Sequence, residues 1–207
     1  MPTENERKYV LRLNCETMMC EMAKNHLRIH QGYMMASKGM SLRLRKCQEG
    51  KVVIPRLPAP CPLFLEQAGE KPKHYMTFKC SCNGGANRVV EIEKKIDERD
   101  FNDLWPQCMN KLTKLRYVVR DEKKQVWEID FFKTHDNTNY FALAEFEMPE
   151  GQTAPDFMPS FIKSNMLHEV SLTDCRFSSK LLGDVRYASD LYQSLEDKNN
   201  GVSLRSG

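Results

Sequence analysis

Near the start of the chain, charged side chains fall at every second position: Glu4, Glu6 and Lys8 in the stretch ENERK. In an extended strand such residues share one face, which sets the two carboxylates about 7 Å apart with an ammonium next along. Like charges so placed repel unless a cation sits between them, and hard ions such as Mg²⁺ or Mn²⁺ take carboxylate oxygens readily. The same period recurs along the chain. Arg43 and Arg45 alternate with leucines in LRLR, Lys79 lies in YMTFKCS, and Glu91 and Glu93 flank Ile92 in EIEKK. Lys114 and Arg116 follow in KLRYVV, Glu128 and Asp130 in VWEIDFF, and Glu145 and Glu147 in LAEFEM. Any one of these strands fits an ordinary sheet with one wet face, where cross-strand ion pairs are worth roughly 0.2–1 kcal/mol. Repeated over the whole set, with acids and bases segregated by strand, the pattern asks for more. Faces of this kind, converging on one lumen, suit a polyanion held by Lys and Arg together with divalent cations held by carboxylates.

The bulk composition leaves room for such a local device. A chain of 207 residues, 41% hydrophobic and 29% charged, is globular and large enough for one sizeable core. Its 31 basic and 28 acidic residues leave a net charge of +3, too little for a whole-molecule field toward nucleic acid or a membrane. No apolar run of about 18 residues is present and the N-terminal stretch is polar, so neither a membrane span nor a signal peptide is expected, and the cytoplasm is the expected location. The eight cysteines are expected to be reduced thiols, because the Cys80/Cys82 pair has no second pair at zinc-finger spacing.

These side chains need strands to carry them. The pattern predicts an opening strand, then a helix in NCETMMCEMAKNHLRIHQ with apolar positions Met18, Met19, Met22, Ala23, Leu27 and Ile29, capped by Asn14 and leaving His26 and His30 solvated. GYMMASKGMSLRLRK reads as a hairpin. The stretch at about 47–74 carries five prolines and reads as a surface excursion outside the central sheet. NGG at 83–85 predicts a turn between two further strands, and DERDFNDLWPQCMNKL a helix that Asp97 caps and Pro106 ends or kinks. Three meandering strands follow, with turns at RDEKKQ and THDNTN, then a short helix, the element HEVSLTDCRFSSKLL and a last helix around SDLYQSLE. The expected layout is one domain over 1–195, with the insertion at about 47–74, and a flexible tail at 196–207.

Taken in order over roughly residues 3–182, ENERK, IHQGYM, LRLR, TFK, KLRYVV, VWEIDFF, LAEFEM and HEVSLTDCRFSSKLL resemble the CYTH superfamily, the triphosphate tunnel metalloenzymes. The resemblance implies an α+β fold: an antiparallel eight-stranded closed β-barrel with flanking helices, its tunnel holding a linear triphosphate. It further implies phosphate contacts from Lys8, Arg43, Arg45, Lys79, Lys114 and Arg116, with Arg176 and Lys180 as further contacts. Metal ligands would be Glu4, Glu6, Asp130, Glu145 and Glu147, with Mg²⁺ or Mn²⁺ as cofactor, and Glu91, Glu93 and Glu128 as additional acids of the lumen. Glu4, Glu6, Lys8 and Arg116 are the implied catalytic set. The closing element reads EVSLTDCRF where the family has EVT-x-D-x-RY, one residue more, which loosens the register of Arg176 and Lys180.

The expected reaction is metal-dependent hydrolysis of inorganic triphosphate or a small organic triphosphate. The same tunnel also suits a class IV-type adenylyl cyclase making cyclic AMP and pyrophosphate, or a polyphosphate or nucleotide binder without turnover. An RNA 5′-triphosphatase ranks lower, since +3 with no basic stripe speaks against long nucleic acid. The expected partner is a small-molecule triphosphate, with no membrane and with a homodimer left open.

Overall fold

The structure, a computed structural model, describes residues 5–23, 25–37, 39–51, 71–81, 89–149 and 151–201. Nine strands form one sheet: β1 (Glu6–Leu11), β2 (Asn25–Ser37), β3 (Met40–Lys51), β4 (Lys73–Ser81), β5 (Val89–Ile96), β6 (Met109–Arg120), β7 (Val126–Lys133), β8 (Asn139–Glu147) and β9 (Met166–Glu169). Among the described residues five α-helices accompany them: α1 (Glu16–Ala23), α2 (Glu98–Leu104), α3 (Ser160–Asn165), α4 (Ser179–Leu182) and α5 (Val185–Asn199). The spatial order is β5-β4-β3-β2-β6-β7-β8-β1-β9, and every neighbouring pair is antiparallel.

This corrects the expected eight-stranded closed barrel. The sheet has nine strands, and among the described residues no ladder joins β5 to β9. It nevertheless curls far enough that Glu6 and Lys8 of β1 and Lys79 and Glu91 of β4 and β5 line one cavity. The C-terminal segment supplies further wall: Ser178, Ser179 and Lys180 line that cavity, and Lys180 Nζ donates to the Ala36 carbonyl at 3.2 Å.

Alternation decides which residues go where. On the convex face Tyr9, Leu11, Leu115, Tyr117, Trp127, Ile129 and Phe131 pack with Met19 and Cys20 of α1 and Phe161 and Ile162 of α3. Full burial of each large side chain contributes about 1.5–3 kcal/mol. On the concave face the charged residues give way toward one end to Val10, Leu112, Phe132, Phe141 and Leu143, which α5 covers with Ala188, Tyr192 and Leu195. A smaller core of Leu44, Phe101 and Cys108 lies beneath α2. Among the described residues no helix is long and apolar enough to cross a membrane.

The first predicted helix is half right. It ends at Ala23, and Leu27 and Ile29 belong to β2, since their spacing suits a strand as well as a helix. Asn14 caps nothing; it lies inside a 3-10 turn, Leu13–Cys15. His26 is buried at 3% exposure instead of solvated, and a Cβ at Gly50 would come within 2.4 Å of its Nε2, so only glycine fits opposite it. His30 is half-buried and its Nδ1 meets Thr113 Oγ1 at 3.0 Å.

Other expectations are met. Asp97 caps α2 by accepting from the Asp100 amide at 2.8 Å, and Pro106 falls in the 3-10 turn that ends it, although residues 109–112, read as part of that helix, belong to β6. The β2–β3, β6–β7 and β7–β8 hairpins form, with Gly39, Lys124 and Asn137 at positive φ in their turns. The ends of the 47–74 excursion belong to β3 and β4, while 52–70 and the NGG turn at 83–85 lie outside the described residues. Helix α5 runs to Asn199, past the boundary drawn at 195. Six of the eight cysteines are described, and Cys15, Cys20, Cys47, Cys108 and Cys175 are free thiols.

Candidate active site

Register places the charges. Lys8 of β1 stands opposite Glu145 of β8, and Glu6 opposite Glu147. Glu145 stands opposite Glu128 of β7, and Arg116 of β6 opposite Asp130. On the other wing Arg43 and Arg45 of β3 pair with Thr77 and Tyr75 of β4, and Lys79 of β4 with Glu91 of β5. The concave faces enclose a cavity of about 460 Å³, within the roughly 300–1,000 Å³ usual for small-molecule sites. Among the described residues that line it, seven are basic (Lys8, Arg43, Arg45, Lys79, Lys114, Arg116, Lys180) and four are acidic (Glu6, Glu91, Glu128, Glu145).

Arg116 is the hub of the inner cluster. Its Nε donates to Asp130 Oδ1 at 2.7 Å, its Nη2 to Asp130 Oδ2 at 2.6 Å and to Glu145 Oε2 at 2.9 Å, and its Nη1 to Glu128. Lys114 Nζ donates to the same Asp130. Burial works against the Arg116 charge, but Asp130, Glu145 and Glu128 outweigh it and raise its pKa well above the usual guanidinium value. Lys114 goes the other way: burial and then Arg116 push it below the ordinary lysine value, against the pull of Asp130 and Glu145. Burial would raise the Glu145 pKa, yet Lys8, Lys114 and Arg116 together hold its carboxyl well below the usual carboxylate range.

The β3–β5 wing is looser. Arg45 Nη2 reaches Glu93 at 2.8 Å, Arg43 Nη2 reaches Glu91 at 3.3 Å, and Lys79 Nζ reaches Glu91 at 3.1 Å. Glu93 also accepts from Thr77 Oγ1 at 2.7 Å. Both arginines keep a buried Nε with no hydrogen-bond partner among the described residues. A buried donor left unmade costs about 1–3 kcal/mol, which an entering anion would recover.

The structure brings most of the expected site together and sets some of it aside. Glu4 lies outside the described residues. Asp130 is on the concave face but fully buried behind the cavity wall, both its oxygens taken by Lys114 and Arg116. Glu93 lies beside the cavity lining, held by Arg45 and Thr77. Glu147 shares the parity of Glu145 but is exposed and does not line the cavity. Arg176 does not line it either: Asp174 grips its guanidinium at 2.7–3.2 Å, and the group lies over the Phe177 ring.

Sequence reasoning missed Tyr33, which lines the cavity with its hydroxyl accepting from Gln31 Nε2 at 3.0 Å. Its register opposite Arg43 was the available signal. Ser37, Ser41, Ser178 and Ser179 were missed as well, and their small size gave no signal.

Among the described residues no group of three His, Cys, Asp or Glu side chains stands close enough to hold a metal. The donors present still suit a hard dication. Glu6 and Glu145 both meet one cation, the Lys8 ammonium, at 2.7 and 3.4 Å. Mg²⁺ is commonly bound by one or two carboxylates together with substrate phosphates and water, without an all-protein cage.

No protein-family model matches the sequence, and no curated protein matches it. Solved structures do. The inorganic triphosphatase NE1496 is 24% identical over 88% of this chain and 95% of its own, with a TM-score of 0.51. HpAC1 from Hippeastrum, a protein assigned as an adenylyl cyclase that reveals a dominant triphosphatase activity, is 15% identical over 70% of this chain and 79% of its own, at 0.45. PH1819 from Pyrococcus horikoshii OT3 is 14% identical over 93% and 89%, at 0.43. The last two are too distant to carry an argument, but the first covers nearly the whole of both chains. With the charged strands in the order that the motifs gave, the chain has the fold of the inorganic triphosphatase NE1496.

Proposed function

We propose that the chain is a metal-dependent triphosphatase that hydrolyses inorganic triphosphate or a small organic triphosphate in the concave cavity of its sheet. The observation that carries this reading is the charge balance of that cavity among the described residues: seven basic side chains against four carboxylates, with two buried arginine Nε donors that meet no partner among them. Even with Asp130 and Glu93 counted, bases outnumber acids. A neutral or cationic guest would leave that surplus uncompensated, whereas a phosphate chain meets it with many oxygens.

In this reading Arg43, Arg45, Lys79, Lys114, Arg116 and Lys8 contact phosphate oxygens, with Lys180 entering from the C-terminal side. Arginine suits forked contacts and lysine acts as a point charge. Asp130 is reassigned: it keeps Lys114 and Arg116 charged and aimed, so that they need not reorganise as charge builds on the reacting phosphoryl oxygens. Glu6 and Glu145 would hold the divalent ion. When bound, that ion neutralises phosphate charge and makes water a better nucleophile. The ion has an electrostatic reason to be there, since a triphosphate brings more negative charge than the protein's surplus cancels.

The test is a panel with Mg²⁺ or Mn²⁺ against tripolyphosphate, thiamine triphosphate and ATP, with phosphate release and cyclic nucleotide measured side by side. Phosphate release from tripolyphosphate or thiamine triphosphate, abolished by a chelator, is the expected result. Cyclic AMP and pyrophosphate from ATP would replace it with a cyclase, and tight binding without turnover with a sequestering protein.

A further inference from the structure

One basic residue of the cavity has two incompatible duties. Lys8 Nζ sits 2.7 Å from Glu6 Oε1 and 3.4 Å from Glu145 Oε1, so its ammonium is a monovalent cation seated between two carboxylates. Register builds the seat: Lys8 and Glu145 are directly opposed across β1 and β8, and Glu6 is two residues along the same face. Glu145 is turned to serve two cations, one oxygen toward Lys8 and the other accepting from Arg116 Nη2 at 2.9 Å. The side chains of Lys8 and Glu145 are 23% and 12% exposed. In so desolvated a place charges interact several times more strongly than in bulk water.

While the ammonium holds this seat, the carboxylates are already matched, and a dication must displace it. Displaced into the cavity without an anion, the ammonium would face a lining in which bases outnumber acids, Lys114, Arg116 and Arg43 among them. Displaced onto a phosphate chain, it gains a partner as the carboxylates gain a stronger one. We propose that Lys8 is a resident counter-cation, replaced at Glu6 and Glu145 by the divalent ion when the polyanion takes its ammonium. The inference rests on the triphosphatase reading above. Metal and triphosphate then raise each other's affinity by the same factor, because binding couplings are reciprocal. Without the anion, Lys8 competes for the metal seat, and the protein binds divalent ions only weakly.

The test reads metal binding without turnover. The whole chain, free of phosphate, is titrated with Mn²⁺ alone and unbound Mn²⁺ is followed by electron paramagnetic resonance. Lys8→Gln should bind Mn²⁺ about tenfold more tightly than the unaltered protein. Lys8→Arg, which keeps the cation, should stay within about twofold of it. Lys79→Gln removes a charge that lines the same cavity but bonds Glu91, and should tighten Mn²⁺ by no more than about threefold. Equal tightening by Lys8→Gln and Lys79→Gln would overturn the inference, since the effect would then be the general field of the cavity.

If Lys8→Gln does not fold, the unaltered protein answers through its ¹³C-labelled lysine side chains. The Lys8 signal, assigned by its loss in Lys8→Arg, should shift with saturating Mg²⁺ and shift further with tripolyphosphate; a signal that ignores Mg²⁺ at saturation sinks the idea. Metal-dependent hydrolysis with no tightening in Lys8→Gln defeats this inference alone. No Mn²⁺ binding by any variant, with or without tripolyphosphate, defeats the triphosphatase reading and this inference with it.

Discussion

Strands β6 and β7 carry a buried charged cluster on each face, and the two clusters have opposite characters. On the convex face Glu16 of α1 accepts from Lys133 Nζ at 2.8 Å, Asn139 Nδ2 at 2.7 Å and Tyr117 hydroxyl at 3.1 Å. One acid meets one base, both carboxylate oxygens are used, and α1 covers the group with Met19 and Cys20 packed beside it. On the concave face, one residue away from Tyr117, Arg116 shares three carboxylates with Lys114 and Lys8 at the wall of an open cavity. Burial of ionised groups is thus common to both. What separates a structural clamp from a candidate site is access and setting: one acid–base contact under a helix against a charge network at the wall of a cavity whose described lining carries seven bases and four acids.

That contrast can be broken experimentally, most sharply by Glu16→Ala. It removes the carboxylate that Lys133 meets in the core and should cost about 3–5 kcal/mol of unfolding free energy in urea, while the Michaelis constant for tripolyphosphate below the transition stays unchanged. Glu6→Ala should do the reverse, lowering turnover by about 100- to 1,000-fold with little change in the urea midpoint. Arg45→Ala should weaken triphosphate binding by about 1.5–3 kcal/mol, read as a raised Michaelis constant with fold stability nearly intact.

A pH titration sharpens the comparison more gently. The Glu145 carboxyl is held below its unfolded value by Lys8, Lys114 and Arg116 in spite of burial. Its stabilising contribution is therefore complete above the unfolded pKa of about 4.3 and is lost as pH falls toward the folded one. Glu145→Gln should flatten the acid limb of stability against pH, whereas a limb unchanged from the original would remove Glu145 from its cause. The smallest effect is expected from Arg176→Ala, whose guanidinium is tied to Asp174 outside the cavity. Hydrolysis should change by less than about twofold, and a large loss would return Arg176 to the site.

Much of the site was legible because a strand has a period of two. Once Trp127, Ile129 and Phe131 are read as core, Glu128 and Asp130 must face the other way, and the structure puts both on the concave face. The same step places Lys8, Arg43, Arg45, Lys79, Lys114, Arg116 and Glu145. It fails where two periods coincide: Leu27 and Ile29 continue a helical stripe from Met19 as well as they start a strand, and only pairing with β3 and β6 decides for the strand. It also fails for His26, whose burial depends on a missing Cβ at Gly50, a residue 24 positions away.

By itself, then, the chain determined which side chains share a face, since alternation follows from the local geometry of an extended backbone. Depth, closure and pairing were decided only in three dimensions. Asp130 lies behind the wall while Glu145 lies in it, and Glu147, of the same parity, stands outside it. The sheet stops short of closing among the described residues, and the C-terminal segment lends Ser178, Ser179 and Lys180 to the wall. These outcomes depend on how far the sheet curls and on contacts between residues far apart in sequence, such as Lys8 with Glu145 and Lys180 with Ala36, which no local period encodes.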